Sequence, residues 1–179
     1  ATLGRRSDAV ISWLIDLTMG VPHILLVMLI ALAFGRGLTG VVAGVALSHW
    51  PSLARVIRGE VIQLRQAPYI LTAGKLGVSR WRVIQRHMLP HLLPQFVVGL
   101  VLQFPHAILH EAGITFLGFG LPPEQPAIGV ILSESMRYLT TGRWWLALFP
   151  GLALMLTVLL FASIGDRLRR LLDPSSAQR

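Results

Sequence analysis

The chain of 179 residues has no cysteine and few charged side chains. The absence of cysteine excludes disulfide frameworks, thiolate metal sites and cysteine nucleophiles. Only 13% of the residues are charged, whereas a soluble domain of this size would carry about a quarter. The mean hydropathy is correspondingly high, at +0.65. These features argue against an ordinary cytosolic enzyme.

Long runs without a formal charge dominate the sequence. Four of them stand out, with lengths of 19, 18, 24 and 22 residues: 17–35, 37–54, 87–110 and 144–165. Roughly 20 apolar residues cross a bilayer as a helix, and four such runs are hard to bury in one small soluble core. We therefore expect an all-α, polytopic membrane helical bundle, a single transmembrane domain over residues 1–179. Its spans are predicted at about 9–34, 38–57, 91–113 and 144–165.

Basic residues are distributed unevenly among the segments that join these spans. If the chain starts inside, 13 of the 16 Lys and Arg residues fall in inside segments, and the outside ones are Arg36, Arg137 and Arg143. The positive-inside rule then predicts that both ends and the 55–87 segment are cytoplasmic. The net charge of +8 is therefore explained by topology, and we expect no nucleic-acid partner.

Prolines and glycines predict where the helices break or approach one another. Pro22 predicts a kink in the first span, and Pro90 and Pro94 predict where the third span begins. The GxxxG motif at residues 40–44 favours close helix packing. Residues 114–142 are too apolar for a free loop and too rich in Gly and Pro for one straight helix. They are interpreted as a broken or re-entrant external segment.

The cytoplasmic segment 59–87 is basic and amphipathic. Pro68 can open a short helix at Tyr69, and Gly77 followed by Ser79 is typical of a helix end and a new N-cap. Such a helix is suited to docking a cytoplasmic partner, or it lies among lipid headgroups without one. Its spacing leaves both interpretations open.

Histidines in the third span are the main candidates for chemistry. His106 and His110 are four residues apart and share a helix face, and neutral imidazoles suit nickel or zinc. Glu111 is turned about 100° away from His110 on an ideal helix. Because polar groups within a span usually face a pathway or the bundle interior, we assign His49, His106, His110 and Glu111 to a substrate pathway.

A metal contact by His106 and His110 competes with hydrogen bonding between helices, or with gating that involves no metal. The interpretation without metal is favoured, because two histidines are too few for a tight metal site. His23 and His49 would add ligands, but nothing in the sequence brings them near.

Enzyme motifs are incomplete in this sequence. His110 and Glu111 would begin a zinc-protease HExxH motif, but Ile114 stands where its second histidine should be. The chain also has no GxxxxGK[ST] phosphate loop. We expect no catalytic residue here.

Residues 69–90 resemble the cytoplasmic EAA signature of permease subunits of binding-protein-dependent ABC importers. At the spacing of that signature, the matching residues are Ala73, Gly77, Leu89 and Pro90. The sequence departs from the signature at three positions: Leu71 stands in place of its Glu, Thr72 in place of its first Ala and His87 in place of its Ile. The residues at 115–120 and 148–153 resemble the dipeptide, oligopeptide and nickel branch. Residues 46–50 with His106 and His110 look closest to the nickel-import permease.

The resemblance implies a transport mechanism that the residues by themselves do not indicate. Two permeases form the pathway, and each presents a short cytoplasmic helix to an ATPase whose closure on ATP moves the spans. The coupling residues would be Tyr69, Leu71, Thr72, Ala73, Gly77, Leu89 and Pro90. The implied partners are a second permease, cytoplasmic ATPase subunits, an extracytoplasmic solute-binding protein and membrane lipid. This chain would bind no cofactor, since ATP and Mg belong to the ATPase.

The expected function is that of a bacterial inner-membrane permease for nickel, a metal chelate or short peptides, and the histidines favour nickel. Family members normally have six spans, so the chain looks as if it lacks the first two. The alternative is a secondary transporter or channel subunit that works without an ATPase.

Overall fold

The computed structural model describes residues 5–172. The described part is built from helices joined by short connections. In chain order these are α1 (Arg5–Met19), α2 (His23–Ala33), α3 (Leu38–Arg65), α4 (Pro68–Lys75), α5 (Arg80–Val83), a π-helical turn (Ile84–Met88), α6 (Leu89–Phe116), α7 (Ile128–Leu139) and α8 (Trp145–Leu172). The predicted all-α class is confirmed.

Within residues 5–172, three helical segments are long and apolar enough to cross a membrane, namely Leu38–Arg65, Arg80–Phe116 and Trp145–Leu172. The pair α1 and α2 qualifies only as a broken span, because the two helices are bent by 93°. The kink predicted at Pro22 is thus a complete break, and 9–34 is not one helix. Pro22 has no N–H with which to extend α1, and its carbonyl instead accepts a hydrogen bond from the Leu26 N–H at 3.1 Å.

The helical run that contains the predicted third span begins at Arg80, before the prolines that were expected to mark its start. Pro90 and Pro94 lie inside the helical run 80–116 and not at its start. Immediately before Pro90, the Leu89 N–H bonds the Ile84 carbonyl, five residues back, in a π-helical turn. This wider turn relieves the clash that a proline ring makes with the preceding α-helical turn, so the helix continues through it.

Helices α2 and α3 pack closely at the GxxxG motif. A Cβ added at Gly44 would lie 2.8 Å from the carbonyl oxygen of Val27, so only glycine allows this approach. Around this contact the buried core consists of Val27, Ala31, Val41 and Ile114. The interpretation of the motif as a packing surface is confirmed.

Helix α6 is the central element, since it packs against α2, α3, α7 and α8. Gly165 of α8 faces Leu102 of α6, and Phe104 stacks on Phe161 with ring centroids 5.9 Å apart. The predicted broken segment is a loop over 117–127 followed by the short helix α7, which packs against both α6 and α8. These contacts hold α3, α6 and α8 in a bundle.

Candidate functional site

A cavity of about 540 Å³ lies between α2, α3 and α6 and reaches the C-terminal part of α8. The polar side chains that line it are His23, His49, Ser52, Glu60, Gln95, Gln103, His106, His110 and Arg169. At 1.5 Å per residue, His49 and Glu60 are about 16 Å apart along α3. The cavity therefore runs from the middle of α3 towards the end that joins α4. Polar groups in a membrane bundle are expected to face such a cavity.

Three histidines from three helices meet at the end of the cavity where His49 lies. His23 is the first residue of α2, His49 lies within α3, and His110 lies in the second half of α6. Their ring centroids are separated by 4.6 Å (His23–His49), 4.4 Å (His23–His110) and 5.3 Å (His49–His110). One nitrogen from each ring lies within 4.8 Å of the other two. We call these three residues the histidine cluster.

Several polar atoms on this cavity are buried and lack hydrogen-bond partners among the described residues. They are Nε2 of His23, Nε2 of His49 and Oε1 of Gln103. Since most buried polar atoms in proteins have a partner, each exception calls for a physical reason. All three residues line the cavity, so a polar ligand or ion there would supply the missing partners.

The structure places the predicted pathway residues in two different environments. His49, His106 and His110 line the cavity. Glu111 does not; its carboxylate accepts a hydrogen bond from the Thr115 hydroxyl at 2.9 Å. The Thr115 oxygen in turn accepts from the Leu121 N–H at 3.1 Å. Glu111 therefore stabilises the end of α6 and the following loop.

The predicted metal pair, His106 and His110, is not the group that the fold brings together. His106 is exposed and lines the cavity, but it stays outside the histidine cluster. The histidines that join His110 are His23 and His49. The sequence suggested His23 and His49 as possible added ligands but could not place them near His110, because the three residues lie far apart in the chain and meet only through helix packing.

The cytoplasmic segment folds locally as its turn residues predict. Helix α4 ends at Gly77, which has φ +76°, and the Val78 N–H bonds the Ala73 carbonyl at 3.1 Å. This is the hydrogen bond of a Schellman C-cap with glycine in the left-handed conformation. Ser79 then caps α5 by accepting from the Arg82 N–H. The helix end at Gly77 and the N-cap at Ser79 are confirmed.

The α4–α5 segment is anchored on one face and exposed on the other. Its buried side packs on the end of α3 in a cluster of Val61, Leu64, Ile70, Val83 and Met88. Of the predicted coupling residues, Ala73 is half-buried and the exposed ones are Tyr69, Leu71, Thr72, Gly77, Leu89 and Pro90. Leu76 and Trp81 are 77% and 64% exposed, and the sequence reasoning missed both. The available signal was their position, as apolar residues on either side of the Gly77 turn.

Two ion pairs join α1 to α3. Arg58 makes two hydrogen bonds to the Asp8 carboxylate, at 2.9 and 2.8 Å. Arg55 makes one to Asp16, at 2.9 Å, between more exposed side chains. These contacts hold α1 against the half of α3 that leads to α4.

Comparison with known proteins gives a match along nearly the whole chain. The model of a family described as "binding-protein-dependent transport system inner membrane component" matches residues 1–178. A putative peptide transport system permease protein of Brucella suis biovar 1 (strain 1330) is 38% identical over 170 residues, covering 95% of this chain and 57% of the relative.

Two further relatives carry more specific names. The dipeptide transport system permease protein of Bacillus subtilis (strain 168) is 30% identical over 171 residues, covering 96% of this chain and 53% of the relative. The probable D,D-dipeptide transport system permease protein of Escherichia coli (strain K12) is 34% identical over 174 residues, covering 97% and 58%. The chain thus spans just over half the length of these curated relatives.

Proposed function

Because the chain belongs to the family of binding-protein-dependent transport system inner membrane components, we propose that it acts as the permease subunit of an ATP-driven importer in a bacterial inner membrane. It would form the pathway with a second permease, receive solute from an extracytoplasmic binding protein and dock cytoplasmic ATPase subunits. ATP and Mg would bind to the ATPase, and this chain would be a transport component without catalytic residues.

Short peptides are the substrate class that we propose. The observation that carries this choice is the polar cavity, whose lining includes side chains of both charges, Glu60 and Arg169, and the buried Gln103 oxygen. A short peptide is a zwitterion with amide groups between its charged ends, so it presents complementary groups to such a lining. The three relatives above, which are named for peptide or dipeptide transport, support the same class.

Nickel or a metal chelate is the second candidate substrate, and the histidine cluster is the observation that favours it. Imidazole nitrogens are suitable ligands for nickel, copper and zinc. A permease that passes such a cation would expose histidines along its pathway, and His106 lies on the same cavity as the cluster.

An uptake experiment separates the two substrates. Cells with and without the full-length gene are given labelled dipeptide or radioactive nickel, each with the other as competitor. Gene-dependent dipeptide uptake that nickel does not inhibit is expected. Gene-dependent nickel uptake that excess dipeptide does not reduce would instead assign the metal as the substrate.

The α4–α5 segment is proposed as the ATPase docking surface. The segment exposes Leu76 and Trp81. It is anchored by Ile70 and Val83, which share a buried cluster with Leu64 of α3, so force applied to the segment would reach the bundle. Apolar side chains exposed to this extent are typical of interaction sites when they are grouped.

Substitution at the most exposed leucine of this segment tests the surface. Leu76→Asp should abolish co-purification of the ATPase and ATP-dependent uptake, because a carboxylate would be buried in an apolar contact. Leu117→Asp, at an exposed leucine at the other end of α6, is the matched control and should leave both intact. Uptake that persists in Leu76→Asp without bound ATPase would favour a secondary transporter or channel.

A further inference from the structure

We propose that His23, His49 and His110 form a binding site for a divalent transition cation of the nickel, copper or zinc type. Each histidine would donate one imidazole nitrogen from a different helix. The site is independent of which solute the permease carries, since the argument rests on the geometry of the cluster.

The first argument is the distance between the nitrogen atoms. The three candidate ligand atoms all lie within 4.8 Å of one another. Two imidazole nitrogens bound tetrahedrally to one ion at 2.0–2.1 Å are about 3.4 Å apart. The rings would therefore approach each other by at most about 1.4 Å on binding, a movement that side-chain rotation can provide.

The second argument is the orientation of His49. Its Nδ1 lies 2.8 Å from the backbone carbonyl oxygen of Val45, one helical turn earlier. A carbonyl can only accept, so Nδ1 carries the proton and Nε2 keeps its lone pair. Metal-binding histidines are typically held by such a bond from the second ring nitrogen to a carbonyl. The His49 ring is thus already fixed in the tautomer that a cation requires.

The third argument is that two buried ring nitrogens of the cluster have no hydrogen-bond partner among the described residues. They are Nε2 of His23 and Nε2 of His49. A buried polar atom without a partner costs free energy. A cation between the rings would satisfy both atoms at once, whereas packing of the rings against one another satisfies neither.

The ligand set also indicates the kind of ion. Three neutral imidazoles suit zinc, copper or nickel, whereas magnesium and calcium prefer oxygen ligands. The carboxylate that follows His110 in the chain, that of Glu111, is engaged with Thr115. Three protein ligands leave at least one coordination position open, and the adjoining cavity can supply it with water, with His106 or with a chelating group of a solute.

A binding measurement on the intact complex tests the proposal. The full-length permease with its partner subunits is purified through a tag without histidines, stripped with chelator and titrated with Ni²⁺ by equilibrium dialysis. We expect one tightly bound ion per permease chain. His23→Gln, His49→Gln and His110→Gln should each weaken binding by at least about 100-fold, since even the loss of an outer partner costs 10–100-fold.

His91→Gln is the matched control. His91 is exposed on α6 and does not line the cavity, so this variant should bind Ni²⁺ as the wild type does. The visible absorption of bound Co²⁺ adds a measurement that needs no variant, because imidazole coordination in a site of low coordination number gives bands unlike those of the hydrated ion.

Two results would overturn the site. One is a wild-type complex that binds no Ni²⁺ above the background of a protein-free dialysis. In the presence of that complex, Co²⁺ would also keep the spectrum of the hydrated ion. The other is unchanged binding in all three cluster variants. Either result with dipeptide uptake intact would remove the cation site and leave the proposed permease function standing.

Discussion

Two glycines in the α4 region show how backbone conformation decides what one residue can do. Gly74 lies inside α4 with open space around its Cα, whereas Gly77 has φ +76° and ends the helix. A side chain at φ > 0 costs about 1–2 kcal/mol, but alanine within a helix is better than glycine by up to about 1 kcal/mol. The same substitution should therefore have opposite effects at these two positions.

We expect Gly77→Ala to lower the thermal unfolding temperature of the purified permease and Gly74→Ala to leave it equal or raise it. Thermal unfolding in detergent, followed by light scattering, measures both. Equal stabilisation by the two variants would contradict the assigned conformation at Gly77.

The ion pairs between α1 and α3 differ in their geometry, and their effects should differ accordingly. Arg58 donates two hydrogen bonds to the Asp8 carboxylate. The Arg55–Asp16 pair has one hydrogen bond, between more exposed side chains. Bidentate pairs are the stronger kind, and exposed single contacts contribute little. Arg58→Gln should thus make α1 more accessible to protease, and Arg55→Gln, as the matched control, should do so much less.

Limited proteolysis of membrane vesicles, with cleavage at the Arg and Asp positions of α1 read by mass spectrometry, measures this difference. Equal protection of α1 in both variants would show that apolar packing, and not the Arg58 pair, holds α1 against α3.

At the scale of the helices, the packing of α2 on α3 depends on the small size of Gly44. Gly44→Leu would place a branched side chain where even a Cβ lies 2.8 Å from the Val27 carbonyl oxygen. Overpacking of this kind costs about 1–3 kcal/mol or more. A Cβ added at Gly59, in the same helix, would have nothing within 4 Å, so Gly59→Leu is the matched control.

We expect Gly44→Leu to lower the amount of folded permease in membranes and Gly59→Leu to leave it unchanged. The readout is the amount of protein that stays monodisperse in detergent, measured by fluorescence-detected gel filtration. A normal level of Gly44→Leu would mean that α2 packs on α3 less closely than the structure has it.

The elements differ in how well local sequence predicts them. The turn at Gly77 and Ser79 was predictable, because the conformations involved belong to single residues and their nearest neighbours. The start of the helical run over Arg80–Phe116 was not predictable, since Pro90 and Pro94 would ordinarily interrupt it. The π-helical turn over Ile84–Met88 accommodates Pro90, and no local sequence pattern predicts such a turn.

For the whole molecule, the distribution of arginine predicts the membrane topology, and the absence of cysteine from residues 1–179 makes that prediction straightforward to test. Gln85 and Gln125 are both exposed, the first in the π-helical turn and the second in the loop before α7. The positive-inside rule puts Gln85 in the cytoplasm and Gln125 outside. Gln85→Cys and Gln125→Cys each introduce the only thiol of the printed sequence.

A membrane-impermeant maleimide applied to intact spheroplasts should label Gln125→Cys and not Gln85→Cys, and inverted vesicles should give the opposite result. The two variants serve as controls for each other. Labelling of Gln85→Cys from the outside would reverse the proposed orientation of both ends.

The cavity belongs to this largest scale too. That His49, His106 and His110 line a common cavity could be expected from sequence, because polar side chains within long apolar runs usually face the bundle interior. Glu111 could not be excluded from it, since its contact with Thr115 depends on how α6 ends. His23 could not be included, because its neighbours come from helices distant in the chain.

The sequence by itself determined the helical class, the apolar segments, the charge asymmetry, and the turn between α4 and α5 at Gly77 and Ser79. These follow from composition and from interactions within a few residues, which a linear pattern contains. Only the tertiary structure decided that α1 and α2 meet at 93°, that Gly44 packs against Val27, and that three histidines share one site. Such features arise from contacts between helices. The sequence marks at most one side of such a contact, as at Gly44, because the partner is set by packing of the whole bundle.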